Sequence, residues 1–207
     1  MKYALLALSL LVVGASAADA QYRGAVEIGG FVQWSGLDEQ TGLNANRGAG
    51  GSVGYFLLER LSVEAAAGYT GTGDAGPGTA EGSWVPLRGR LLWNFAPLER
   101  VRPFVGLGVV HNRYGGVVDG SDTGASAIGG LRLHVNENWA LRTDLSVDRV
   151  WSPFNEGAAF VADVVDNHTN WMLTTGVSYT FGGTPRDADA DGVPDRDDNC
   201  ALTPMGV

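Results

Sequence analysis

The sequence predicts an all-β chain: an eight-stranded antiparallel up-and-down transmembrane barrel, followed by a short calcium-binding linker. Three observations carry this. The chain opens with an export signal. Eight segments alternate apolar and polar residues with period two. Near the other end, aspartates recur at the spacing of oxygen ligands around a hard cation.

The first element is MKYALLALSLLVVGASAADA. Lys2 supplies a positive start, Ala4 to Val13 an apolar run, and Ala18-Asp19-Ala20 a small-x-small cleavage site. The apolar run is too short for a spanning helix, so residues 1–20 read as a secretory signal with Gln21 as the mature N-terminus. No later segment reaches the roughly 18 unbroken apolar residues of a membrane helix. If the exported chain enters a membrane, it enters as strands.

The strands then follow in order. The first sets Val26, Ile28, Val32 and Trp34 against Glu27 and Gln33. The second covers about Arg47–Leu58 and is rich in glycine. The third alternates Val63, Ala65, Ala67 and Tyr69 with Ser62, Glu64 and Gly68. The fourth places Val85, Leu87, Leu91 and Trp93 opposite Arg88, Arg90 and Asn94. The fifth, about Arg102–Tyr114, and the sixth, about Gly124–Val135, alternate more weakly. The seventh opposes Trp139, Leu141, Leu145 and Val147 to Arg142, Asp144, Ser146 and Asp148. The eighth, about Thr169–Phe181, opposes Trp171, Leu173, Val177, Tyr179 and Phe181 to Asn170, Thr174, Ser178 and Thr180.

A soluble sandwich with one wet face alternates in the same way. Three details favour the membrane. Aromatics assigned to the apolar face gather at strand ends: Trp34, Tyr69, Trp84 and Trp171 at one, and Trp93, Phe95, Trp139, Tyr179 and Phe181 at the other. Such girdles mark the two interfaces of a bilayer. Charge of both signs falls mid-strand only on the polar face, as Glu27 and Glu64 against Arg88, Arg90, Arg132 and Arg142. The links also alternate. LLERLS, FAPLERVRP and HVNENWA are tight, whereas Ser35–Asn46, Thr70–Ser83, Gly115–Thr123 and Arg149–His168 are longer, as in barrels with short periplasmic turns and long external loops. Eight strands enclose room for little beyond side chains, so the inward Glu and Arg should pair across the bore and plug it. Both ends of the barrel then lie on the periplasmic side.

The export signal, eight alternating strands and a last strand TTGVSYTF ending in Phe181 resemble the N-terminal barrel of the OmpA family. The likeness covers residues 21–183 as a pattern. It implies an outer-membrane location in a Gram-negative-type bacterium, contact with outer-membrane lipid, and a terminal aromatic read by the barrel-assembly machinery. As a girdle residue Phe181 needs no such role.

The third element, residues 184–207, holds six aspartates and two arginines, hence −4 of the chain's formal −9. Asp187, Asp189 and Asp191 take positions 1, 3 and 5 of a loop, Gly192 position 6, Val193 position 7 through its carbonyl, Asp195 position 9 and Asp198 position 12. That is the ligand spacing of an EF-hand-type Ca²⁺ loop. Position 12 is Asp rather than the longer Glu, and Pro185, Pro194 and Pro204 oppose flanking helices. The bland alternative is a solvated acidic spacer. DADADGVPDRDDNC resembles a thrombospondin type 3 repeat, and CALTPMGV the continuation of such linkers, with Ala201 where a proline is usual. The resemblance implies Ca²⁺ as cofactor and a peptidoglycan-binding domain beyond Val207; it also implies a cysteine partner for Cys200 in a neighbouring repeat.

The acidic balance excludes a nucleic-acid partner, since phosphate neutralisation needs a basic face. Three histidines, His111, His134 and His168, are the candidates for lipid-modifying catalysis. No nucleophile–base pair is legible around them, and HTNW lacks a serine, so the reading is not an enzyme and no catalytic residue is assigned. The expected function is a structural barrel anchoring the envelope. The competing classes are a lipid A-modifying barrel enzyme and a secreted calcium-binding adhesin.

Overall fold

The computed structural model describes residues 23–36, 46–72, 82–95, 100–116, 120–151 and 168–184. Eight strands follow one another: β1 (Arg23–Gly36), β2 (Asn46–Leu58), β3 (Leu61–Thr72), β4 (Gly82–Asn94), β5 (Val101–Gly116), β6 (Gly120–His134), β7 (Trp139–Val150) and β8 (His168–Thr184). Each pairs antiparallel with its neighbours, and β8 pairs with β1, so the sheet closes into a barrel. Closure removes the sheet edges, which is what allows strands to stand in lipid.

Burial alternates along every strand. In β4, Trp84, Pro86, Arg88, Arg90, Leu92 and Asn94 point inward, while Leu87, Leu91 and Trp93 point outward. The exterior is therefore apolar: Ile28, Val32, Val53, Val63, Leu107, Val109, Leu131, Leu145 and Val177 are all exposed. The inside mixes buried polar and charged side chains with apolar ones such as Phe56, Val110, Val150 and Met172, and Leu92, Phe104 and Ile128 form one apolar cluster there. At the seam, β1 meets β8 through Phe31↔Gly176 and β2 through Phe31↔Gly50. A Cβ on Gly176 would overlap the Phe31 backbone, and one on Gly50 would overlap the Phe31 ring, so both partners are glycine by necessity.

The tight links lie together at one rim. Asn136 shapes the β6–β7 turn, its Oδ1 accepting the Asn138 and Trp139 amides at 3.0 and 2.8 Å. The Asn138 side-chain amide donates to the Thr180 carbonyl at 2.8 Å and ties that turn to β8. The aromatic girdle at this rim comprises Trp93, Phe95, Trp139, Tyr179 and Phe181; the Trp139 and Tyr179 rings are 4.9 Å apart.

Two expectations change. Trp84 is not a girdle residue: it is fully buried, because it shares parity with Arg88 and Arg90 and so faces the bore. Its place in the second girdle is taken by Trp151, exposed just past β7, beside Trp34, Tyr69 and Trp171. The expected long link Gly115–Thr123 is in good part strand: Gly115 and Gly116 belong to β5, Gly120 to Thr123 to β6, and Tyr114 pairs with Gly120. Alternation there is blurred by Gly115, Gly116, Gly120 and Gly124, which carry no side chain to reveal the period.

Candidate functional site in the barrel interior

Five buried acids (Glu27, Glu64, Asp122, Asp144, Asp148) face five buried arginines (Arg88, Arg90, Arg102, Arg132, Arg142) among the described residues. Equal numbers leave the arginine–carboxylate set formally neutral, so it gives the bore no single-sign selectivity.

The main layer crosses the bore. Register places Arg102 opposite Arg132 and Arg132 opposite Arg142, three like charges side by side on β5, β6 and β7. Such a row is destabilising unless neutralised. Carboxylates from the far wall meet Arg132 and Arg142. Arg132 donates through Nε and Nη2 to Glu27 Oε1 at 3.3 and 3.2 Å, and through Nη1 to Asn94 Oδ1 at 2.5 Å. Arg142 grips Glu64 with both terminal nitrogens, donates through Nε to Asp144 at 2.9 Å, and lies 3.5 Å from Glu27. Arg90, directly opposite Glu64 in register, reaches its Oε1 at 3.6 Å and donates to Ser126 and Ser146 at 3.2 and 2.9 Å.

Phe104 stacks into the same layer, with the Arg132 and Arg142 guanidinium carbons 4.3 and 4.7 Å from its ring centre. A ring face attracts cations, more strongly where water is excluded. Gly130, opposite Phe104, makes room: a Cβ there would overlap the Phe104 ring and Asp144. A pocket of about 20 Å³ beside Glu64, Arg90, Arg142 and Asp144 is room for about one water.

A second layer lies toward the long-loop rim. Arg88 donates to Asp148 Oδ2 at 3.1 and 2.6 Å and lies 5.6 Å from the Trp84 ring. The Trp84 indole donates to Asn112 at 2.9 Å, whose amide donates to Asp122 at 2.7 Å. Gln33 donates to Thr70 at 2.6 Å.

Of the expected inward set, Glu27, Glu64, Arg90, Arg132 and Arg142 are thus brought together, whereas Arg88 faces inward but pairs with Asp148 in the second layer. Sequence reasoning missed Arg102, Asp122 and Phe104. Their even numbering, shared with Asn112 and Tyr114 on β5, is the signal that places them inside. The two described histidines do not converge. His111 faces outward, 3.1 Å from Thr123 Oγ1, whereas His134 is buried at the turn rim. His168 is the first residue of β8. The predicted Ca²⁺ ligands Asp187, Asp189, Asp191, Val193, Asp195 and Asp198, the export signal and Cys200 lie outside the described residues.

A model of the outer membrane protein β-barrel domain matches residues 5–181. The chain belongs to that family. It is 27% identical over 223 residues to outer membrane porin F of Pseudomonas aeruginosa, which takes in 96% of this chain and 60% of that protein. This chain therefore spans about 60% of its curated relative's length. Among solved structures, the N-terminal barrel of Pseudomonas aeruginosa OprF is 21% identical with a TM-score of 0.51, covering 78% of this chain and all of that one. Neisserial surface protein A is 15% identical with a TM-score of 0.56, covering 81% and 100%. OprG of Pseudomonas aeruginosa is 15% identical with a TM-score of 0.54, covering 80% and 100%. At these identities the likeness is one of fold.

Proposed function

We propose that this chain is a structural outer-membrane barrel with a closed bore, fixing the envelope rather than passing solutes. The observation that carries this is the ionic layer of Glu27, Glu64, Arg90, Arg132, Arg142 and Phe104, which spans the interior from wall to wall. The curated relative is named a porin; in this chain the balanced, side-chain-filled interior supports a plug instead. The test is single-channel recording on the full chain in planar bilayers. Insertions should give no sustained conductance. A stable open channel at every insertion would overturn the closed-bore reading.

The second part of the proposal is the linker. The carboxylates of Asp187, Asp189, Asp191, Asp195 and Asp198, with the Val193 carbonyl, suit a hard divalent cation that takes six to eight oxygens. Calcium would relieve their repulsion and stiffen a periplasmic connector leading toward the cell wall. In cells, deleting the gene should raise vesicle release and detergent sensitivity. An unchanged envelope would remove the anchoring role while leaving the barrel intact.

A further inference from the structure

Charge on the lipid-facing wall is confined to one level. Among the described strand residues that face outward between the girdles and at them, the charged side chains are Arg47, Arg113 and Arg149, all exposed and all at the long-loop rim. No acid shares that face there. Register fixes their depth. Arg47 lies directly opposite the girdle residue Trp34, and Arg149 two pairs beyond Val147↔Trp171. Arg113 pairs with Val85 near the end of β5. These guanidiniums therefore stand where hydrocarbon gives way to headgroups, too deep to serve a polyanion dissolved in the water above.

Below two of them along the strands the wall carries a shallow, open depression. A groove of about 590 Å³ on β2, β3 and β4 is lined on its lipid side by Gly51, Val53, Ala65, Ala67, Leu87 and Gly89. Arg47 is four residues outward of Gly51 on β2. Val85, the partner of Arg113, is four residues outward of Gly89 on β4. Each arginine thus sits about 13 Å above the groove floor along the strands, at 3.3 Å per residue. The pairs Gly48↔Thr70, Gly71↔Ser83 and Ser83↔Gly115 put Arg47 and Arg113 about 15 Å apart across the wall, at strand spacings near 4.8 Å.

We propose that this face seats a phosphorylated glycolipid of the outer leaflet. Arg47 and Arg113 take phosphates at the two ends of a disaccharide head, and an acyl chain lies in the groove against Gly51, Ala65, Ala67 and Gly89. Guanidinium forks suit phosphate, and the low-dielectric interface strengthens the contact. The groove supplies apolar area that flat barrel walls lack. Arg149 lies on β7, away from the groove on β2, β3 and β4, so it belongs to the girdle rather than to this seat. The proposal rests on the long-loop rim being the outer one.

The experiment uses the full chain, folded in zwitterionic detergent, with native mass spectrometry to count retained lipid. The probes are a bisphosphorylated diglucosamine lipid, its dephosphorylated form and inorganic phosphate. The wild type should retain the bisphosphorylated lipid selectively, and R47Q/R113Q should weaken retention roughly tenfold or more. Ala67→Leu, which fills the groove and keeps both arginines, should also weaken it, whereas R149Q should not. Equal retention by wild type and R47Q/R113Q overturns the proposal. So does equal binding of the two lipid forms, an R149Q loss matching that of R47Q/R113Q, or displacement by millimolar inorganic phosphate. Heat-modifiable gel mobility separates the outcomes: a folded barrel without selectivity defeats the lipid seat alone, and a chain that never inserts defeats the membrane-anchor reading with it.

Discussion

Removing the Glu64 carboxylate should destabilise the barrel more than removing any single outward side chain. Glu64 accepts both terminal nitrogens of Arg142 and sits 3.6 Å from Arg90. In Glu64→Ala the central layer falls from three acids (Glu27, Glu64, Asp144) against four arginines (Arg90, Arg102, Arg132, Arg142) to two against four. Arg142 keeps Asp144 at 2.9 Å and Glu27 at 3.5 Å, and Arg90 keeps its two serines, so neither guanidinium is stripped bare. Breaking a buried pair from one side typically costs about 3–5 kcal/mol, and these remaining contacts place the loss at about 3 kcal/mol, the lower end. Glu64→Gln, which keeps the volume, should lose nearly as much, separating charge from packing. Glu64→Met with Arg142→Met should recover part of it, because replacing a whole buried pair by apolar groups is far cheaper than orphaning one half. The assay is equilibrium urea unfolding in lipid vesicles, followed by tryptophan fluorescence and gel mobility from both directions. An unchanged midpoint for Glu64→Ala, or strictly additive losses in the double variant, would refute the account of the layer as one coupled unit.

Further expectations follow from the same geometry. Leu145→Arg, on the lipid face near mid-strand, should impair insertion by about 2–4 kcal/mol in a membrane-partition assay, while Gln33→Ser, which loses one inward hydrogen bond to Thr70, should insert normally. Gly130→Val should lower the urea midpoint because its side chain takes the space of the Phe104 ring; a wild-type midpoint would mean the ring has another place to go. Calcium at millimolar concentration should protect residues 184–207 from protease, and Asp191→Ala should abolish that protection while Asp197→Ala preserves it; cleavage indifferent to calcium would return the segment to an acidic spacer.

Most of the barrel was legible because period two is so direct a signal. Where strands carry large residues on one face, as at Val63 to Tyr69 or Trp139 to Val147, parity alone separates lipid from interior. Legibility failed where that signal thins. β5 and β6 run through glycines, so their ends at Gly115–Gly116 and Gly120–Thr123 read as loop and Arg102 and Asp122 went unassigned. Trp84 failed for another reason. Aromatic character suggested a girdle, but its parity with Arg88 was the stronger constraint, and Asn112 supplies the acceptor its indole needs inside. The contacts themselves were not readable at all. That Glu27 reaches Arg132 and Arg142 depends on barrel closure, which brings together residues more than a hundred positions apart.

Parity also explains why this interior suits a chain that must find its register in a membrane. A slip of one residue in β4 would carry Arg88 and Arg90 to the lipid face together, at about 2–4 kcal/mol each, hence roughly 4–8 kcal/mol for one strand. The same slip would leave Asp148 buried without Arg88 and cost Glu64 its second arginine, Arg90, adding a buried-charge penalty of several kcal/mol. Apolar residues alone discriminate less sharply, because the β2 and β3 walls carry many glycines and alanines that fit either face. The charged layer therefore does for register what a hydrophobic core does in a soluble sheet. It penalises each wrong pairing heavily, although in the right pairing its net contribution to stability is small. A barrel whose five buried arginines and five buried acids were all replaced by apolar residues of similar volume should remain stable once folded, yet insert slowly and in more than one register; homogeneous, fast insertion of that variant would show that the outer face is sufficient.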